Sequence, residues 1–195
     1  MIIFTSDNGG ANYIELEDIN KPFRGWKISF FEGGIRVPFI ISWPDKISPG
    51  LTSNSAVHHF DIFPTIVSAT KTTTSNKKEL DGVNLLPYIK KENSDEPHET
   101  LFWRSGNHQS VLHKKWKYIV SKKENKSWLF DTSIDPLEKN NLIESHPKEA
   151  QKIEELLVQF NSEQKEPLFP SAFEAPIMID KYDGQAYEEG DEYIY

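Results

Sequence analysis

A chain of 195 residues, 37% apolar and 12% aromatic, can bury one good core or two small ones, which excludes a disordered polymer. The 30 acidic side chains outnumber the 22 basic ones, and the net charge of −8 argues against a nucleic-acid partner. With no cysteine, disulfides, thiolate metal sites and a cysteine nucleophile are excluded; no apolar run approaches the roughly 18 residues of a transmembrane segment.

Ile2-Ile3-Phe4-Thr5 is a short apolar, β-branched run stopped by Ser6-Asp7-Asn8-Gly9-Gly10. It reads as a strand buried on both faces that feeds a loop. The first residues carry no basic segment and no cleavage site, so any export signal is expected upstream. Residues 10–34 form a long polar-aromatic loop, a feature that in compact domains is usually functional. Residues 37–43 read as a second core strand, entered through Pro38 and closed by Pro44-Asp45. Asp61 is placed to cap a helix over 62–69, with Phe63, Ile66 and Val67 on one face and Pro64 in the first turn.

Residues 70–79 read as a solvated loop, and Asp81-Gly82 as a turn before the apolar segment 85–89. The charged run 90–99 marks a boundary. Four strand candidates follow, at 100–103, 109–113, 116–121 and 127–130, separated by lysine-rich turns; they predict a small antiparallel meander. Pro147 opens an amphipathic helix with Ala150, Ile153, Leu156, Leu157 and Phe160 on its apolar face, expected to cover the meander. The remaining residues are acidic and aperiodic, an extended tail. The expected division is residues 1–92, 93–165 and 166–195.

Asp7-Asn8 offers a carboxylate and an amide carbonyl, hard oxygen donors that suit Ca²⁺ or Mg²⁺ better than Zn²⁺. Gly9-Gly10 permits the sharp turn that lets both face one ion. An Asx turn closing the strand satisfies the same residues. Gly33-Gly34 precedes a strand signal rather than a helix, so a nucleotide-phosphate loop is excluded. Glu32 and Arg36 are expected to be structural, Arg36 pairing with a nearby carboxylate. His58-His59 has a metal-like composition, but a satisfied interior or surface pair is the expectation.

Four runs in this order, Phe4-Thr5-Ser6-Asp7-Asn8-Gly9-Gly10, Arg24-Gly25-Trp26-Lys27, Glu32-Gly33-Gly34-Ile35-Arg36-Val37-Pro38 and Ser42-Trp43-Pro44, resemble the second half of a type I sulfatase of the alkaline-phosphatase superfamily. Trp116-Lys117-Tyr118-Ile119 and the segment 128–142 continue the resemblance to about residue 165. It implies an α/β fold: the C-terminal part of an alkaline-phosphatase-like mixed sheet in residues 1–92, plus a small four-stranded antiparallel subdomain with one helix. It implies Asp7 and Asn8 as calcium ligands and Lys27 as the catalytic, sulfate-binding lysine. A flexible ammonium there neutralises a non-bridging oxygen and the leaving oxygen as the S–O bond breaks. Trp26 and Ile28 depart from the small residues usual beside that lysine.

Arg104 and His108, in the loop at the head of the meander, are implied as substrate contacts at the pocket rim; a polar turn between two strands is the alternative. The implied substrate is a sulfated carbohydrate or an aryl sulfate. The family's formylglycine nucleophile is made from a Cys/Ser-x-Pro-x-Arg motif, which this chain lacks. The paired aspartates that complete the calcium site and a Lys-x-His segment are missing too. The expected partner is therefore an N-terminal half carrying those groups, with the isolated chain inactive and its strand edge prone to association. Periplasmic or secreted placement is expected of a full-length member; these residues do not specify a compartment. Two rivals stand beside this reading. A phosphate or phosphonate ester hydrolase of the same superfamily shows Asp-His and zinc where Asp7-Asn8 stands. The other is a non-catalytic, split or truncated remnant.

Overall fold

The computed structural model describes residues 1–73, 79–169, 171 and 175–195. The expected solvated loop 70–79 lies partly outside the described residues, as do four positions of the expected tail. The elements run β1 (Ile2–Thr5), α1 (Glu32–Ile35), β2 (Phe39–Ser42), α2 (Ile62–Thr70), α3 (Leu86–Ile89), β3 (Thr100–Ser105), β4 (His108–His113), β5 (Trp116–Ser121), β6 (Lys126–Asp131), α4 (Pro147–Glu163), β7 (Ile177–Met178) and β8 (Tyr193–Ile194). Single 3₁₀ turns occur at Asn12–Ile14 and His59–Asp61. The chain forms two units, residues 1–4 with 40–99 and residues 5–39 with 100–195. The motif loop thus groups with the meander rather than with the strands that flank it in sequence.

In the first unit β1 pairs with β2 in a two-stranded sheet. Their burial alternates, leaving Ile2, Phe4 and Ile40 at 71%, 60% and 58% exposure. The sequence predicted a strand buried on both faces; two strands alone have too few neighbours to cover both. Asp61, expected to cap α2, instead closes the turn before it. Its buried carboxylate accepts from His58 N (2.7 Å) and Val83 N (2.9 Å) and lies 2.9 Å from His98 Nε2. Thr65 is buried and accepts from Leu85 N at 2.9 Å, while Phe63 and Ile66 on the expected apolar face stay exposed.

The second unit is built on the predicted meander, β3-β4-β5-β6, all antiparallel. Successive side chains in a strand point to opposite faces, and the two faces are covered differently. Val111, Tyr118 and Leu129 pack against Ala150, Ile153 and Leu157 of α4. Ile119, Trp128 and Phe130 pack against Trp26 and Phe31 of the motif loop and against Ile177, Ile179 and Ile194. The segment expected to be an extended tail therefore contributes the β7–β8 hairpin, with apolar residues in the core.

Candidate functional site

Three glycine-bearing runs are brought together backbone to backbone. Gly9 N donates to Gly34 O at 2.9 Å, Lys27 N to Gly10 O at 2.9 Å, and Gly33 N to Arg24 O at 2.6 Å. A methyl on Gly9 would lie 1.7 Å from Gly33 O, and one on Gly33 would lie 2.3 Å from Gly25 O. Those separations leave no room for a side chain, and this is what the paired glycines are for. Asn20 closes the arrangement. Its Oδ1 accepts from Gly10 N (2.6 Å), and its Nδ2 donates to Gly10 O (2.9 Å) and Gly25 O (3.1 Å).

The interlocked loop encloses a cleft of about 560 Å³. Asn8 and Lys27, far apart in sequence, both line it. So do Tyr13, Lys21, Phe23 and Arg36. Asp7 sits beside the cleft, exposed to solvent. Asn8 donates its Nδ2 to Gly9 O at 2.9 Å, so its amide oxygen is the acceptor end of the side chain. Asp7 and Asn8 are hard oxygen donors of the kind that Ca²⁺ takes, two where six to eight are needed. Among the described residues, no cluster of three or more His, Asp or Glu forms a metal-binding group.

The loop is anchored by buried charge. Lys117, on the face of β5 turned to the motif loop, is fully buried and reaches Glu32 Oε1 at 2.6 Å and Glu138 Oε1 at 2.7 Å. Glu32 N also donates to Glu138 Oε2 at 2.6 Å. Burial pulls the Lys117 ammonium down, but Glu138 and Glu32 outweigh it and its pKa is raised. Burial likewise pushes Glu32 up, but Lys117 and then Arg36 hold it below the usual carboxylate range. Glu138 is pushed up, by burial above all. The expected pairing of Arg36 is with Glu32, at 3.3 Å. Arg24 makes a bidentate pair with Asp180 (2.7 and 2.6 Å) and reaches Glu192 at 2.5 Å. Desolvation opposes its charge, but the two carboxylates raise its pKa further.

Arg104 and His108 are not brought together. Arg104 points to the α4 side, donating to Lys165 O at 3.0 Å and Asn161 Oδ1 at 3.4 Å. His108 is on the opposite face, 3% exposed, with Nε2 at 2.5 Å from Ile28 O and Nδ1 at 3.0 Å from Tyr195 O. Neither lines the cleft; His108 instead ties the residue after Lys27 to the sheet. Burial lowers its pKa, partly offset by those two carbonyls. Sequence reasoning passed over Asn20, Lys117 and Glu138 as anchors. Lys117 carried a signal, a lone cation inside Trp116-Lys117-Tyr118-Ile119 with the parity of Phe130 across the ladder.

Residues 25–166 match the family described as N-sulphoglucosamine sulphohydrolase, C-terminal. A steryl-sulfatase of Rattus norvegicus is 28% identical over 152 residues, covering 75% of this chain and 26% of that protein. An N-acetylgalactosamine-6-O-sulfatase of Bacteroides thetaiotaomicron is 27% identical over 181 residues, covering 80% of this chain and 35% of that protein. A solved Bacteroides thetaiotaomicron structure, described under the metabolism of multiple glycosaminoglycans, superposes with a TM-score of 0.69 at 27% identity, covering 83% of this chain and 38% of its own. Its alkaline-phosphatase-like fold is that of the sulfatases. The chain thus spans about a quarter to two fifths of these relatives, at their C-terminal part. With most of its length matched, the chain belongs to the N-sulphoglucosamine sulphohydrolase C-terminal family of sulfatases.

Proposed function

We propose that this chain is the part of a carbohydrate sulfatase that grips the sulfate ester, with Lys27 on the ester and Asp7 and Asn8 on Ca²⁺. The observation that carries this reading is the convergence of Asn8 and Lys27 on one cleft. Lys27 supplies positive charge where charge develops on the sulfate and leaving oxygens. Asp7 and Asn8 would hold the calcium, which supplies further charge stabilisation at the sulfate when bound. The names of relatives and neighbours that act on sulfated sugars support a carbohydrate substrate.

The nucleophile and the remaining calcium ligands belong to an N-terminal polypeptide of the same fold, and this chain by itself does not turn over. Exposed Ile2, Phe4 and Ile40 fit a sheet surface that such a partner covers. The test is turnover of an aryl sulfate with Ca²⁺, by the chain alone and with a separately produced N-terminal half. Activity is expected only for the pair, and Lys27→Ala is expected to lower its kcat/KM by about 10²-fold or more. Turnover by the chain alone, or full activity in the Lys27→Ala pair, overturns the assignment.

A further inference from the structure

We propose that His108 is a positioning residue for Lys27: it holds the tight turn that carries the lysine in a backbone conformation that the turn's own sequence disfavours. The inference rests on the reading of Lys27 given above. Ser29 N donates to Trp26 O at 2.9 Å, so Trp26, Lys27, Ile28 and Ser29 make one β-turn. Its third residue, Ile28, has a φ of +81°, whereas Lys27 before it does not lie at positive φ. That is the pattern of a type II turn, which asks for glycine at the third position. Ile28 is β-branched, and such a residue stays at positive φ only where its surroundings hold it there.

The holding contacts come from both ends of the turn. The Ile28 side chain packs against the core that contains Trp26, Phe31 and Trp128. Its carbonyl accepts from His108 Nε2 at 2.5 Å, and His108 is the buried first residue of β4. The other ring nitrogen lies 3.0 Å from Tyr195 O, the longer contact, which assigns the proton of the neutral ring to Nε2. The Phe30 ring lies 4.5 Å from the imidazole, centroid to centroid. Ser29 Oγ donates to Trp26 O at 2.7 Å and accepts from Trp26 N at 3.1 Å, and Lys27 N donates to Gly10 O at 2.9 Å. The Lys27–Ile28 segment is thus fixed at its start by Gly10 and at its end by His108. Trp26, Ser29 and Phe30 are buried, so Lys27 is the side chain that the turn presents to the cleft. Relaxing Ile28 to negative φ turns over the peptide that joins it to Lys27, and the lysine is redirected with it. A shift of about 1 Å in a group that meets the reacting atoms can cost on the order of 10²-fold in rate.

The test combines two substitutions at His108 with one at Ile28. His108→Leu fills the buried site without a donor, and His108→Gln keeps a donor at similar reach. In the 195-residue chain, exchange of the Lys27 and Ser29 amides should quicken about tenfold in His108→Leu, the effect of one hydrogen bond on a local equilibrium. It should stay near the parent rate in His108→Gln, and the amides of β5 and β6 should not change in either variant. Glycine holds positive φ without penalty, so adding Ile28→Gly should abolish the effect of His108→Leu. With the N-terminal half supplied, kcat on an aryl sulfate should fall about tenfold in His108→Leu at unchanged KM, the mark of an interaction lost in the transition state. His108→Gln should restore it, as should Ile28→Gly added to His108→Leu. If His108→Leu does not fold, His108→Asn, whose amide is too short to reach Ile28 O, takes its place. Exchange that is unchanged in His108→Leu overturns the inference, as does an effect undiminished by Ile28→Gly. So does a raised KM at unchanged kcat, which would make His108 a substrate contact, or parent activity in His108→Leu while Lys27→Ala is impaired. The exchange measurement needs no turnover. Should it behave as expected while neither His108→Leu nor Lys27→Ala alters activity, the hold on the turn stands and the sulfate-ester role of Lys27 falls.

Discussion

The two units of the chain differ in how their apolar and charged residues find partners. Among the largest fully buried side chains, Leu85 alone belongs to the first unit; Trp128, Phe31, Lys117, Phe130 and the rest belong to the second. The second unit covers both faces of its meander and buries a three-member charge cluster. The first unit leaves Ile2, Phe4, Ile40 and Phe63 half or more exposed, although its strands are no less apolar. Apolar sequence is thus not enough to make a core; a strand is buried only where other elements exist to lie on it. The cleft residues lie on the well-supported side of this contrast, in the loop that the meander holds.

The contrast can be tested by removing support where it is strong and where it is absent. The largest effect is expected from Lys117→Met. Removing the ammonium leaves Glu138 buried without its counter-charge and Glu32 with only Arg36 at 3.3 Å, which costs about 3–5 kcal/mol. Replacing all three by apolar residues of similar volume should restore most of that stability. Urea unfolding of the single and triple variants makes the comparison, and a single variant as stable as the parent would show that the cluster supports nothing.

A smaller effect is expected from pH through His108. Its folded pKa is depressed below 6.5, so the stability it contributes is present above that value and lost as pH falls from there through the folded value. Exchange of the amides at 28–30, corrected for intrinsic rates, should quicken over that acid range. His108→Gln should remove the dependence; an unchanged profile in the variant would assign it elsewhere. The smallest effect is expected from Phe4→Ser and Ile40→Thr. On exposed positions, stability should shift by no more than about 0.5 kcal/mol, while self-association seen by sedimentation should fall. A large loss of stability would mean that the face is covered within the chain.

Much of the second unit was legible beforehand, because its signals are local. Alternation in 116–121 and lysine-rich turns located the meander, and the 3.6-residue spacing of Ala150, Ile153 and Leu157 located α4 within its observed ends. The run Asp7-Asn8-Gly9-Gly10 announced a sharp turn, and Gly9 there is explained by a contact of 1.7 Å with Gly33 O that a side chain could not survive. What sequence did not reveal depends on long-range packing. Asn20 looks like any loop amide until Gly10 and Gly25 are seen against it. Glu138 is a loop carboxylate whose partner lies across the sheet. His108 was read as a pocket contact, yet counting by twos from Ser110, the cross-strand partner of Ile119, puts it on the face that the motif loop covers. Arg104, one residue out of that parity, goes to the helix side instead.

Arg24 carries a consequence for anyone who cuts this protein. The family match ends at residue 166, and a fragment trimmed there would look complete. Yet the arginine beside the motif glycines spends its guanidinium on Asp180 and Glu192, and Glu192 in turn accepts from the Trp128 indole at 2.9 Å. Ile177, Ile179 and Ile194 share one core cluster with that indole. A trimmed fragment would keep every recognisable motif and lose the floor beneath them, so domain edges drawn from resemblance would fall inside a fold.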